Sequence, residues 1–246
     1  MITPKILYKY SDGDTIFVSV SDVSSRLIEE HLEKDIDALW EEQKNKCIVK
    51  GEKVWDGISY RMNSLTVDEN SIAVELGPIK WSKRSTTRAL DAIYRLPEDY
   101  WGKGVFVTGI IETTDGKYIF GERKNTALKR TVSTTIGGIL GPDDVTVKSF
   151  DDFYVMLHKE IYEEIGVKPT LVTSERFLGI VYSRKTDVGF VFIVCVDLSS
   201  EEVSALFQKR SDDELASLKF VETHNVREHL YQMGDYWALI PTLMGH

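Results

Sequence analysis

The order of apolar and polar positions divides the chain into two regions with different predicted elements. In the first region, four short apolar runs predict β-strands at residues 6–8, 15–20, 58–62 and 71–76. After the second run, apolar residues recur at helical spacing, and Ser21 or Asp22 is the predicted N-cap. This helical stripe is interpreted as a core-facing surface, and it consists of Val23, Leu27, Ile28, Leu32, Ile36, Leu39 and Trp40. Residues 1–100 are therefore predicted to form a small α+β extension.

The second predicted region, residues 101–246, has longer strands and a different order of predicted elements. Predicted strands cover residues 105–111, 117–121, 177–182, 189–196 and 218–221. A turn at Gly137 and Gly138 precedes a predicted helix at residues 150–165, which Gly166 ends. Further helices are predicted from Ser200 and at the C-terminal end. Mixed strands with covering helices predict an α+β fold, an α/β/α sandwich with a mixed sheet.

The segment from Gly77 to Trp101, which leads from the first region to the second, contains the basic stretch Lys80–Arg84. The favoured interpretation is a solvated surface segment. The alternative is a flap that brings cations to a phosphate site.

Composition and charge exclude several classes of protein. The chain has 246 residues, 42% of them hydrophobic and 11% aromatic, which is enough for a packed core and argues against disorder. A net charge of −9 argues against a general nucleic-acid binder, although a local basic pocket is compatible with it. Two cysteines are too few for a disulfide scaffold. With neither a signal-peptide pattern nor a membrane-spanning run, we expect a soluble cytoplasmic protein with no membrane partner.

The candidate chemistry lies in the segment Lys159–Val167. On a helix, Glu160, Glu163 and Glu164 stand at i, i+3 and i+4, so their carboxylates share one face. Such like charges repel unless a cation neutralises them, and Mg²⁺ prefers oxygen ligands of this kind. Acids at this spacing are also common on solvated helices, so the cluster alone leaves a plain surface helix open.

The segment from Gly138 to Val167 resembles the Nudix box, G-x5-E-x7-R-E-U-x-E-E-x-G-U, where U is a bulky aliphatic residue. Its second half matches at Glu160, Ile161, Glu163, Glu164, Gly166 and Val167. Three features depart from the pattern. Lys159 stands where the family has arginine, and Asp151 stands at the first glutamate. The spacing from Gly138 to Lys159 is also longer, so residues 141–150 are interpreted as an inserted loop.

The resemblance implies Mg²⁺-dependent hydrolysis of a nucleoside diphosphate linked to another moiety, with Mn²⁺ as an alternative ion. It implies Glu160 and Glu164 as metal ligands, Glu163 as a third ligand or the general base, and the Gly137 carbonyl as a backbone ligand. Lys159 is expected to orient a carboxylate through its charge. Gly138 is expected to lie against the substrate. Homo-oligomers are common in the family, so that state stays open here.

Five further residues are candidates, two of them with competing interpretations. Arg123 resembles the family arginine that faces substrate phosphate, or is an exposed arginine at a strand end. Glu214 is a candidate general base from a loop, or part of a solvated acidic helix start. Tyr182, Arg184 and Lys185, in a predicted loop, are candidates for substrate contact.

The first hundred residues resemble the N-terminal region of UDP-glucose pyrophosphatases of the Nudix family. The resemblance is carried by Ala38–Glu42, Trp55–Arg61 and Glu75–Gly77, in which Trp40, Trp55 and Tyr60 are interpreted as packing residues. It implies a nucleotide sugar such as UDP-glucose as substrate, giving UMP and glucose 1-phosphate. The alternatives are an ADP-ribose or dinucleotide pyrophosphatase, or a weakly catalytic Nudix-fold module that binds or senses nucleotides.

Overall fold

The computed structural model describes residues 2–22, 29–49, 54, 56–94, 96–125 and 130–245. The strands are β1 Lys5–Lys9, β2 Thr15–Val20, β3 Ile58–Asp68, β4 Ser71–Lys80, β5 Val105–Glu112, β6 Lys117–Asn125, β7 Arg130–Thr134, β8 Val172–Tyr182, β9 Val188–Val196 and β10 Ser217–Glu222. The α-helices are α1 Glu30–Val49, α2 Trp81–Tyr94, α3 Asp151–Ile165, α4 Ser200–Phe207, α5 Val226–Met233 and α6 Ile240–Met244. No helix in these ranges is both long enough and apolar enough to cross a membrane.

Seven strands form one mixed sheet in the order β1-β8-β9-β5-β6-β10, with β7 paired to β6. The β5–β9 pair is parallel and the other pairs are antiparallel. A smaller sheet has the order β2-β4-β3, in which β2 and β4 run parallel. The predicted α+β class and the mixed sheet are confirmed.

Two apolar clusters show that helices cover both faces of the large sheet. One cluster joins Leu157 and Ile161 of α3 to Phe190 and Phe192 of β9. The other joins Val191 of β9 to the C-terminal helices α5 and α6. Because neighbouring residues of a strand point to opposite faces, β9 supplies both clusters in alternation. The sheet is therefore the central layer of a sandwich.

The first hundred residues pack closely on the rest. Tyr60 and Leu76 of the small sheet belong to the same apolar cluster as α3, and the Tyr60 N–H donates to the Leu140 carbonyl at 2.8 Å. Strand β1 is not in the small sheet; it pairs with β8 in the large one. The proposed division into residues 1–100 and 101–246 stays a prediction. Tyr60 is buried, as its interpretation as a packing residue requires, whereas Trp55 lies outside the described residues.

The predicted helix start after Ser21 or Asp22 falls on residues 23–28, which, with part of the predicted stripe, lie outside the described residues. Helix α1 runs from Glu30 to Val49. Leu32 and Ile36 are buried, as predicted. Lys83 of α2 is paired with Glu33 and with Asp37 of α1, so the two helices are also joined by charge.

Candidate active site

Helix α3 places Glu160 on the wall of a cavity because its opposite face is anchored in the core. The buried residues on that face are Phe153, Met156, Leu157, Ile161 and Ile165. The helix ends at Gly166, whose φ of 77° is left-handed and whose N–H donates to the Tyr162 carbonyl. The predicted bounds of this helix are confirmed to within one residue at its start. Its first residue, Asp151, is exposed and lies outside the group of residues that line the cavity.

Glu164 is a buried carboxylate, 1% exposed, with two charge-stabilising donors. The N–H of Gly137 and Nη2 of Arg123 each donate to it at 2.9 Å. Burial raises the pKa of Glu164 to about 7, although the two donors act in the opposite direction. Glu164 is thus held in one position while its charge stays poorly compensated.

Glu160 lies one turn earlier, against the backbone of Gly138. A Cβ on Gly138 would be 2.4 Å from Cδ of Glu160, so only glycine leaves room for the carboxylate. No described residue donates a hydrogen bond to Glu160. Burial raises its pKa to about 7, opposed by the charge of Lys159 and reinforced by nearby acids. The Glu160 carboxylate is therefore held in position, but it has no hydrogen-bond donor among the described residues.

The turn at Gly137 and Gly138 is shaped by close backbone approach. Gly137 has a φ of 151°, and a Cβ there would be 2.2 Å from the carbonyl oxygen of Val107. The Gly138 carbonyl accepts a hydrogen bond from the Val107 N–H at 3.0 Å. Within the described ranges, no donor reaches the carbonyl oxygen of Gly137. The role of this oxygen as a backbone ligand stays a prediction.

Glu163 and Lys159 form a separate pair on the outer side of the helix. Glu163 is exposed, and Nζ of Lys159 lies 2.8 Å from it and 3.1 Å from Asp144 in the predicted inserted loop. Neither Glu163 nor Lys159 lines the cavity. Their predicted roles as third ligand or base, and as orienting cation, stay predictions.

Arg123 connects the helix with the loop before β10. It lies within β6, and its Nη2 is 2.9 Å from Glu164 and 2.7 Å from Glu214. Arg123 and Glu214 both line the cavity, and Glu214 is about half exposed. Sequence reasoning selected both residues but not their contact, because β6 and the loop are far apart in the chain.

The carboxylates fit a hard divalent cation. Among the described residues, no three His, Cys, Asp or Glu side chains converge on a metal position. Mg²⁺ does not need three, because it keeps several waters and takes substrate phosphate oxygens with one or two carboxylates. Glu160, Glu164 and the Gly137 carbonyl provide the matching oxygen donors, and burial of the two carboxylates favours a neutralising cation.

The cavity itself has a volume of about 660 Å³ and extends well beyond the glutamates. Its wall includes aromatic side chains that the sequence analysis did not select. The rings of Phe106 and Tyr236 lie 5.1 Å apart, and those of Tyr236 and Trp237 lie 4.6 Å apart. The indole N–H of Trp237 donates to Thr135 at 3.1 Å, which fixes its position. Single aromatic residues near the C-terminal end carry no sequence signal that distinguishes a cavity wall from a core.

The position of Arg84 contradicts the favoured interpretation of the basic stretch Lys80–Arg84 as a solvated surface segment. This residue is 2% exposed and lines the cavity, and its Nε donates to Asp187 at 2.9 Å. Lys80 ends strand β4 and residues 81–84 begin helix α2, so the stretch is not a solvated surface segment throughout. Of the two candidates in the loop after β8, Lys185 lines the cavity and Arg184 does not.

Neither a protein-family model nor a curated protein matches the chain. Among solved structures, a NUDIX hydrolase from Nitrosomonas europaea is 19% identical, covering 51% of this chain and 76% of that one, with a TM-score of 0.36. The NUDIX domain of NrtR from Shewanella oneidensis, in complex with ADP ribose, is 12% identical, covering 63% and 94%, with a TM-score of 0.40.

A structure of MutT, from work on the Aliivibrio salmonicida and Vibrio cholerae proteins, is 15% identical, covering 58% of this chain and 94% of that one, with a TM-score of 0.35. These structural neighbours are thus Nudix proteins, but at low identity and low overlap. The function of this chain has to be argued from its own residues.

Proposed function

We propose that the protein is a Mg²⁺-dependent Nudix-type hydrolase that cleaves a phosphoanhydride bond in a nucleoside diphosphate linked to another moiety. The observation that carries this proposal is the pair Glu160 and Glu164 on α3, two buried carboxylates with raised pKa values beside the Gly137–Gly138 turn, of which Glu160 lines the cavity. Buried like charges of this kind are unfavourable without a cation, and a metal-bound diphosphate supplies both the cation and phosphate ligands.

The ion, when bound, supplies charge neutralisation on the diphosphate and lowers the pKa of an attacking water. The carboxylates of Glu160 and Glu164 and the carbonyl of Gly137 are the residues that hold it. Arg123 fixes Glu164 and presents the rest of its guanidinium to the cavity, where it can neutralise phosphate charge.

Glu214 is the preferred general base. Its carboxylate lies 2.7 Å from Nη2 of Arg123, and its half-exposed position at the cavity lets it take a proton from water and pass it to solvent. Glu163 is the second choice, because it is exposed, paired with Lys159 and away from the cavity wall.

A nucleotide sugar is the preferred substrate, with UDP-glucose giving UMP and glucose 1-phosphate. The support is the resemblance of the first hundred residues to UDP-glucose pyrophosphatases of this family. The aromatic side chains of Phe106, Tyr236 and Trp237 add a surface on which a nucleobase can stack. ADP-ribose or a dinucleotide fits the same chemistry, and binding without turnover is the alternative class.

The test is product release from a panel of UDP-sugars, ADP-ribose, dinucleoside polyphosphates and nucleoside triphosphates, with Mg²⁺ or Mn²⁺. We expect one substrate class to turn over in the presence of metal. Glu164→Gln should lower kcat roughly a thousandfold, because metal-ion catalysis lowers the activation free energy by several kcal/mol, and each 1.4 kcal/mol or so changes the rate about tenfold. Glu201→Gln, an exposed acid of α4, is the matched control and should keep full activity. Nucleotide binding without any metal-dependent turnover would replace the hydrolase with a sensing module.

A further inference from the structure

Arg84 is a buried cation whose hydrogen-bonding capacity is only partly used. Its Nε is paired with Asp187, but its Nη1 is buried and no described residue accepts a hydrogen bond from it. Leaving a charged donor buried and unpaired is costly, so such a group usually has a partner. Because Arg84 lines the cavity, a ligand there can supply the missing acceptor.

The position of Arg84 is built by its neighbours. A Cβ on Gly104 would lie 2.0 Å from Nε and 2.4 Å from Cζ of Arg84, so the guanidinium lies directly on the glycine backbone. On another side, Cζ lies 5.3 Å from the Trp81 ring centroid, a cation–π distance. The side chain is therefore held before any ligand arrives.

The cavity wall carries further charges besides Arg84. Lys185, an exposed residue, lines it and adds a second cation. Asp235 lines it too, and its Oδ1 accepts the backbone N–H of Arg184 at 2.8 Å. Oδ1 of Asp187 accepts from Nε of Arg84, which leaves Nη1 without an acceptor among the described residues.

Strand β5 fixes the distance between Arg84 and the glutamates. Arg84 lies on Gly104 at the start of the strand, and Glu160 lies on Gly138, which is bonded to Val107. Three residues of strand separate the two points by roughly 10 Å. One extended substrate can therefore contact both ends of the cavity.

We propose that Arg84 binds a phosphoryl oxyanion of the substrate, on the side away from the glutamates, so that helix α2 contributes a substrate-binding residue. This inference rests on the proposed function for the identity of the substrate. Nη1 provides the donor, and the fixed guanidinium can accept the oxyanion in the planar geometry that arginine favours.

The test measures binding by calorimetry without metal, in EDTA, and needs no turnover. The probes are UDP and inorganic pyrophosphate, with uridine as the comparator that lacks phosphate. Arg84→Lys keeps the positive charge but loses the planar guanidinium with its several donors. It should weaken the binding of UDP and pyrophosphate at least about tenfold, while the binding of uridine is unchanged. Arg227→Lys makes the same chemical change on an exposed helix position and should change nothing.

Gly104→Ala is the second variant, because its Cβ displaces the guanidinium without removing any charge. It should weaken the phosphate probes in the same way, and it decides the question if Arg84→Lys does not fold. Unchanged binding of UDP and pyrophosphate, an equal loss for uridine, or no binding of phosphate probes to the wild type would each overturn the inference.

The two proposals fail separately. If the wild type hydrolyses nothing, but Arg84→Lys lowers the affinity for UDP, the hydrolase proposal fails and the phosphate-site proposal stands. If the wild type shows metal-dependent turnover, but Arg84→Lys leaves the affinity for UDP unchanged, the hydrolase proposal stands and the phosphate-site proposal fails.

Discussion

The two ends of the cavity are assembled in different ways. The acidic end comes from one continuous segment, in which residues 139–150 separate the Gly137–Gly138 turn from helix α3. The basic end combines Arg84 of α2, Gly104 before β5 and Asp187 before β9. Residue spacing on one helix encodes the first arrangement, whereas only the fold brings the second together.

Each end also favours a ligand charge of the opposite sign. Glu160 and Glu164 have raised pKa values because burial penalises their charges, so this end favours an added cation. Arg84 has a buried donor without an acceptor among the described residues, so that end favours an added anion. A diphosphate with its metal ion carries both charges, and it completes both ends at once.

Gly138→Ala should break the acidic end with the largest effect. The added Cβ displaces Glu160, and a shift of about 1 Å in a catalytic group can lower the rate about a hundredfold. Steady-state kinetics should show the loss in kcat, with a melting temperature close to that of the wild type. The double variant with Glu160→Gln should be no slower than Glu160→Gln alone, because both changes remove the same group. Independent, multiplying losses would show that Gly138 acts elsewhere.

Thermal unfolding with Mg²⁺ should separate the two ends. A concentration about 100 times the Kd should stabilise the wild type by about 2.7 kcal/mol, because the ion binds only the folded protein. Glu160→Gln should lose most of this stabilisation, and Arg84→Lys should keep it. NaCl at equal ionic strength is the control for screening. Equal loss in both variants would mean that the two ends do not bind separately.

The smallest expected effect concerns the pH dependence of stability at His229, which lies outside both ends of the cavity. It tests whether buried charge also affects stability away from the two ends. His229 of α5 packs edge-on against Phe120 at 4.5 Å and contacts Ser133 at 3.2 Å. Burial, and then the charge of Lys219, lower the pKa of His229 below 6.5. The unfolded chain therefore binds this proton more readily, so the stability is complete above pH 6.5 and decreases as the pH falls below it.

Chemical denaturation at several pH values checks this prediction. His229→Phe should keep the packing against Phe120 and should unfold with a smaller loss on acidification than the wild type. Comparing the two proteins cancels the titration of Glu160 and Glu164, which gain stability on acidification. An identical pH dependence in both proteins would contradict the assignment to His229.

The sequence predicted what local spacing encodes. The helix α3, its end at Gly166 and the glycine turn follow from neighbouring residues, and the structure has them as predicted. Most strand positions were also found, since alternation and turns are local signals, but β7 was not predicted, and β3 and β8 are longer than predicted. The partners of the strands were not, because β1 pairs with β8 and β2 with β4 across long stretches of chain.

Arg84 shows why a basic stretch is ambiguous. Lys80, Lys83 and Arg84 look alike in sequence, but Lys80 is exposed and Lys83 is paired with acids of α1. Only Arg84 enters the cavity, because Gly104 leaves space for its guanidinium. Glycine at a distant position is the determinant, and a single sequence does not show which side chain it accommodates.

The pairing of β1 with β8 has a consequence for the order in which a ribosome delivers the chain. The partner of β1 begins at Val172, so the first strand emerges long before the residues it must pair with. The β2-β4-β3 sheet and α2 come early and Arg84 with them, while Asp187 and Glu214 come late. Contacts so far apart in sequence close slowly. The nascent chain should therefore hold an unpaired edge strand until most of its synthesis is complete, which makes early release or truncation a route to aggregation.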